Sequence, residues 1–296
     1  MPSPRRPSAP LPPRQRALLA VGLLLLALST ALHSRHGPPV ALDPGAFRSN
    51  AVSRHGQLSV SGHRIVDSTG APVQLRGVSL HGLQWFPPKP GWTIPSAVRT
   101  FGVNLVRIPV HVEARNPRPP GEYWGGYEVD AERALQRARA AIDDALAAGV
   151  YVIIDWHITG PVDRYTAEAS AFFDLMSREY GDNPAILYEI ANEPTEERWK
   201  PIRAYAEEII AVIRRNDPDN LIIVGTPYFS QHVQAAVADP LDDVGVLYAQ
   251  HFYAGNHEAG PSMGRLRYTL NAGLPVFVSE WAGTDSRLTT ADYEAA

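Results

Sequence analysis

Two glutamates stand at the ends of short apolar runs. The first closes Leu187-Tyr-Glu-Ile-Ala-Asn-Glu-Pro194, in which 186–191 has the length of a buried strand and Pro194, having no N–H, stops the ladder. The second closes Pro275-Val-Phe-Val-Ser-Glu-Trp281. Glu193 and Glu280 are thus expected at two strand tips, and paired carboxylates are the usual equipment for general acid/base or nucleophilic work. Each motif alone also has a structural reading, in which Asn192 and Glu193 satisfy loop N–H groups and Pro194 opens the next segment. The rest of the chain must decide between the two.

Strands that would hold these tips recur along the sequence. The pattern predicts strands over 74–79, 104–109, 150–155, 186–191, 221–225, 246–251 and 275–280, with helices over 94–100, 130–148, 166–180, 199–216, 231–238 and 262–272. Near-continuous apolar strands alternating with helices imply a parallel sheet covered by its helices. No Gly-x-Gly-x-x-Gly follows the first strand and no phosphate-binding Gly-Lys-Ser/Thr loop occurs, so a nucleotide-binding open sheet has no support. Polar residues instead stand at the C-terminal end of nearly every strand: His81, Arg107, His157, Asn192 with Glu193, His251 with Tyr253, and Glu280. In a closed α/β (β/α)8 TIM barrel those ends converge on one face, where active sites of that fold are built.

The chain has 296 residues, 45% of them hydrophobic and 20% charged, enough for one sizeable core. It contains no cysteine, which excludes disulfides, a thiol nucleophile and a cysteine metal site. Residues 1–16 carry four arginines, six prolines and no acid, and an apolar run of 16 residues follows over 17–32. This reads as an export signal over 1–36, retained as a membrane anchor if it is not cleaved. Removing it takes five arginines and leaves 22 basic against 31 acidic groups, a net charge of −9. Such a domain is a poor partner for nucleic acid. Residues 37–55 read as a linker, and 57–66, alternating around Ser61-Gly62, as a hairpin opening a single domain over 56–296.

The blocks Arg76-Gly-Val-Ser-Leu-His-Gly-Leu-Gln-Trp85, Asn104-Leu-Val-Arg-Ile-Pro109, Ile153-Ile-Asp-Trp-His157, Tyr188-Glu-Ile-Ala-Asn-Glu-Pro194, Gly225-Thr-Pro227, His251-Phe-Tyr-Ala-Gly255 and Val278-Ser-Glu-Trp281 resemble glycoside hydrolase family 5, most closely its bacterial endo-β-1,4-glucanase branch. The resemblance implies a retaining mechanism with Glu193 as general acid/base and Glu280 as nucleophile. It implies that Arg107 and Tyr253 bond Glu280, that Asn192 contacts the sugar's 2-hydroxyl, and that His81, His157 and His251 line the cleavage subsite. Trp85 would be a stacking platform. The implied partner is a β-glucan polysaccharide, bound by a secreted monomer that needs no cofactor and no metal; another β-glycan (mannan, mixed-linkage glucan, xylan) is the alternative substrate. Tyr123, Trp124 and Tyr127 could extend the cleft. Two positions depart from the family: Tyr228-Phe-Ser-Gln231 where Thr-Trp-Ser-Gln is usual, and His111 where an aromatic residue is common. Only 281–296 follow Glu280, so the barrel is expected to be truncated after its seventh strand, and a non-catalytic carbohydrate-binding barrel stands as a further alternative.

Overall fold

The computed structural model describes residues 49–113, 125–196, 198–255, 257 and 259–283. The expected export signal, residues 37–48 of the expected linker, and Tyr123 and Trp124 lie outside the described residues.

Seven strands form one parallel sheet in chain order: β1 (Gly77–Ser79), β2 (Leu105–His111), β3 (Tyr151–His157), β4 (Ile186–Glu189), β5 (Leu221–Val224), β6 (Val246–Tyr253) and β7 (Val276–Ala282). Between them lie α1 (Thr93–Phe101), α2 (Ala131–Ala147), α3 (Thr166–Tyr180), α4 (Trp199–Arg214) and α5 (Ala259–Asn271). Seven expected strands and five of six expected helices are present. The helix expected over 231–238 is only a 3-10 turn, Val233–Ala236. Part of the expected linker is ordered instead: Ala51–His55 forms a short helix whose Ala51 is buried.

The strands alternate their side chains between two layers. Val106, Ile108, Val152, Ile154 and Tyr188 face outward and pack against the helices, whereas Leu105, Tyr151, Ile153, Leu187, Ile223 and Leu247 fill the barrel interior. On α2, Ala134, Ala138, Ala141, Ile142 and Ala145 make the stripe that meets the sheet, and Asp130 caps the helix by accepting from the Arg133 N–H. The hairpin Ser59–Ser61/Arg64–Val66 belongs to the floor, where Leu58 joins the interior core and the Tyr151 hydroxyl donates to the Gly56 carbonyl at 2.7 Å.

Two local irregularities prepare the upper face. The Leu80 N–H donates to the Arg107 carbonyl at 2.9 Å, but the next residue on that side of β2 is Pro109, which has no N–H to offer. Pairing stops there, and the chain leaves β1 as the loop carrying His81 and Trp85. On β7 the register against β6 shifts: Ala249 pairs with Phe277, but His251 pairs with Glu280. One extra residue is thereby inserted into β7, the signature of a bulge, which lets consecutive residues turn toward the same side.

Candidate active site

Arg107, from the middle of β2, is the hub of the upper face and is 2% exposed. Its Nε donates to Glu189 Oε2 at 2.6 Å, Nη2 to Asn192 Oδ1 at 2.7 Å, and Nη1 to Glu280 Oε2 at 3.0 Å; Asp155 Oδ2 lies 2.9 Å from Nη2. Burial opposes the guanidinium charge, but Asp155, Glu189 and Glu280 outweigh it and raise the arginine's pKa. One planar fork therefore ties β2 to β3, β4 and β7.

Glu280 receives a second donor, the Tyr253 hydroxyl from the end of β6. Burial pushes the Glu280 carboxyl up, yet His251, Arg107, His157 and the Tyr253 bond together bring it down to about 2. It is ionised at neutral pH. Burial and the Glu280 charge raise the Tyr253 phenol, so this hydroxyl keeps the proton it donates.

Glu193 is placed by its backbone. Its N–H donates to the Ile158 carbonyl at 3.0 Å, and Thr159–Gly160 pairs in parallel with Glu193–Pro194. Below it, Gly225 has no room for a side chain, since a Cβ would stand 2.3 Å from the Ala191 carbonyl oxygen and 2.7 Å from Pro194. Glu193 Oε1 is 3.2 Å from His251 Nδ1. One carboxylate oxygen each of Glu193 and Glu280 and a ring nitrogen of His251 all lie within 4.8 Å of one another.

His251 is 1% exposed, and its Nε2 is 2.9 Å from Ser279 Oγ. Burial disfavours its charge, but bonds and charge from Glu189, Glu193 and Glu280 raise its pKa to about 9. The imidazolium supplies the positive charge between the two tip carboxylates, with both ring nitrogens engaged.

The remaining expected residues form one wall. His157 Nδ1 bonds Asp155 Oδ2 at 2.7 Å, and its ring lies 4.0 Å from that of His111. His111 meets Trp85 edge-on at 4.8 Å, and Trp85 lies 5.8 Å from His81. Asn192 is 1% exposed; its Nδ2 donates to the Ile158 carbonyl at 3.2 Å, which leaves one N–H of the amide for another acceptor. On the far side of Glu193, Tyr228, Phe229 and Ser230 carry φ of 56, 57 and 55°, a left-handed turn that costs non-glycine residues roughly 1–2 kcal/mol each. It is held by Ser230 Oγ donating to the Asn192 carbonyl at 2.7 Å, and it leaves both aromatic rings exposed. Tyr127 is not in the cleft wall; its ring packs on Trp156 and Phe172 behind the sheet.

Three polar residues of this cluster escaped the sequence reasoning as site residues: Asp155, Glu189 and Ser279. Asp155 and Glu189 are fully buried acids inside otherwise apolar strands, and that is a usable signal, because an acid in a buried run must have a cationic partner. Ser279 carries no such signal.

The cellulase model, described as glycosyl hydrolase family 5, matches residues 66–296. Endoglucanase N of Pectobacterium atrosepticum is 41% identical over 253 residues, covering 83% of this chain and 54% of that protein. The chain spans about half the length of the curated relatives it matches. Among solved structures, the catalytic domain of Thermobifida fusca endoglucanase Cel5A superposes with a TM-score of 0.73 at 34% identity, covering 80% of this chain and 77% of that one. A complex of that domain with cellotetraose gives a TM-score of 0.72 at 32% identity, over 83% and 81% of the two chains.

Proposed function

Because the chain belongs to the cellulase family, glycosyl hydrolase family 5, we propose that it is a retaining endo-glycosidase cutting internal β-1,4-glucosidic bonds of cellulose or a related β-glucan. The observation that carries this reading is the Glu193–Glu280 pair, two carboxyls close enough for double displacement and set in unlike surroundings. Glu280, held ionised by Arg107 and Tyr253, attacks the anomeric carbon. Glu193 protonates the departing glycosidic oxygen and then, as a carboxylate, takes a proton from the water that releases the glycosyl-enzyme. Asn192 is placed to meet the 2-hydroxyl of the sugar with its remaining N–H. The wall of Trp85, His81, His111 and His157 offers apolar ring faces to the sugar's C–H faces. A polymeric substrate is met outside the cell, and residues 1–36 have the character of an export signal.

The test is release of reducing ends from carboxymethyl cellulose, with the anomer first formed read by NMR. The wild-type chain should give the β-anomer. Glu280→Ala should lose turnover and recover part of it with azide as an α-glycosyl azide, while Glu193→Gln should damage glucans far more than aryl glycosides with good leaving groups. A wild-type chain without hydrolysis, or a Glu280→Ala protein of near-normal activity, overturns the proposal.

A further inference from the structure

Behind the strand that carries His251 and Tyr253 lies a pocket that the proposed reaction does not use. Tyr248 of β6 belongs to the outer core and Ala249 and Phe277 to the inner one, so strand alternation turns Gln250, Phe252 and Val278 outward, where Met263 and Leu266 of α5 meet them. The space between them is about 170 Å³, and no carboxylate, ammonium or guanidinium group lines it. An apolar cavity of about 150 Å³ is large enough to take up one benzene molecule. One polar atom interrupts the apolar lining. Gln250 is 2% exposed, and its Nε2 donates to the His251 carbonyl at 3.0 Å. A carbonyl only accepts, so the amide cannot be turned round. Its Oε1 is left as a buried acceptor with no donor among the described residues.

We propose that this pocket is a binding site for a small monocyclic phenol, which lays its ring among Phe252, Met263, Leu266 and Val278 and donates its hydroxyl to Gln250 Oε1. The ring is selected by its company, since an aromatic face packs favourably on another ring and on a thioether sulfur. The hydroxyl is selected by the orphaned amide oxygen, because a desolvated acceptor costs stability until a donor reaches it. A glucose unit carries hydroxyls all round its ring, and a lining whose polar residues are only Gln250, His257 and Ser262 would leave most of them unpaired. A charged ligand would meet no opposite charge. The site is therefore distinct from the cleft in chemistry as well as in place. His257, part of the lining, accepts from the Tyr253 N–H at 3.0 Å and meets the Tyr253 ring edge-on at 6.0 Å. An occupant thus braces, from the helix side of the sheet, the segment that carries His251 and Tyr253.

The test is a fluorine NMR titration of the chain with 4-fluorophenol, run with and without excess cellobiose to fill the cleft. Binding should be saturable with a Kd on the order of 1 mM and unchanged by cellobiose. Fluorobenzene, the same ring without the hydroxyl, should bind about tenfold more weakly, the fold-change of one net hydrogen bond. Ser262→Phe, on the first turn of α5, puts a ring into the space and should abolish binding of both molecules. Gln250→Met keeps the length of the side chain and removes the acceptor, so the two affinities should come within about twofold of each other. The melting temperature should rise with 4-fluorophenol in the wild type and stay unchanged in Ser262→Phe, because only a ligand bound to the native state stabilises it. Absence of saturable binding, binding that survives Ser262→Phe, displacement by cellobiose, or equal affinity for fluorobenzene in the wild type overturns the proposal. Should Gln250→Met fail to fold, the wild-type comparison of the two ligands and the Ser262→Phe titration still decide. Each reading is made without turnover, so a chain inactive on glucans would count against the proposed reaction and not against this pocket.

Discussion

The two tip carboxylates stand on unlike ground. Glu193 extends from β4, which is paired on both sides, with β3 and with β5, and the strands around it are buried along their length. Glu280 rides on β7, which among the described residues pairs with β6 alone and is mostly half-buried, with Trp281 next to it at 63% exposure. A cleft of about 650 Å³, lined by Gly77, Ser79, Arg107 and Glu280 among others, separates β7 from β1. Backbone pairing therefore places Glu193, while side chains, Arg107 from β2 and Tyr253 from the neighbouring β6, place Glu280. A sheet edge is the less constrained place to mount a carboxylate, and the density of charged bonds on Glu280 offsets that.

This contrast can be tested at three scales. The largest effect is expected in native-state hydrogen exchange. Amides of β7 should open with a free energy several kcal/mol below that of β3 and β4, a protection difference on the order of 10³-fold or more. Equal protection in β7 and β4 would break the comparison and mean that a segment outside the described residues closes that edge.

A smaller effect concerns pH. Glu280 is depressed in the folded state, so its contribution is present above the ordinary carboxylate value of 4.5 and is lost as pH falls through about 2. The amount is on the order of 3 kcal/mol for a shift of this size in a mostly buried group. His251 has the opposite sign: raised to about 9, it contributes below 6.5 and its share is lost as pH rises through about 9. Thermal melts from pH 2 to 10 should show both shoulders, and Glu280→Gln should flatten the acid one. An acid shoulder of undiminished size in that variant would place the titrating group elsewhere.

The smallest effect lies on the outer face of the central strand. Tyr188 points away from Glu189, and its hydroxyl donates to Asp217 Oδ2 at 2.6 Å. Tyr188→Phe should lower stability by about 1–2 kcal/mol and leave kcat untouched, because it loosens the support of β4 without reaching the cleft. A comparable loss of kcat would show that Glu193 depends on side-chain support as much as Glu280 does.

The course of the chain was legible because buried parallel strands are written as apolar runs. Leu105, Val106, Ile108 and Val110 announce β2, and Tyr151 to Ile154 announce β3, whatever surrounds them. The tips were legible for a similar reason, since a polar residue directly after such a run has few places to be except a strand end. Limits were less so. The strand expected from 74 begins only at Gly77, where its partner β2 begins at Leu105, because a ladder starts where both strands are present. The same holds for the 3-10 turn at Val233–Ala236 and the helix at Ala51–His55, whose lengths depend on neighbours and not on local pattern.

What the sequence determined by itself was the order of strands and helices, the floor hairpin, and the set of residues brought to one face, since these follow from hydrophobic period and strand direction. What only the tertiary structure decided was which of those residues touch. Strict alternation puts Ser279 and Glu280 on opposite faces of β7, yet the register shift against β6 brings Ser279 Oγ to Glu189 and Glu280 to Arg107. The charge state of Glu280 and the proton on His251 are likewise set by groups 27 to 173 residues apart in the chain, at distances near 3 Å. Electrostatic energy depends on those separations in space and on the burial around them, and neither is a property of any one stretch of sequence.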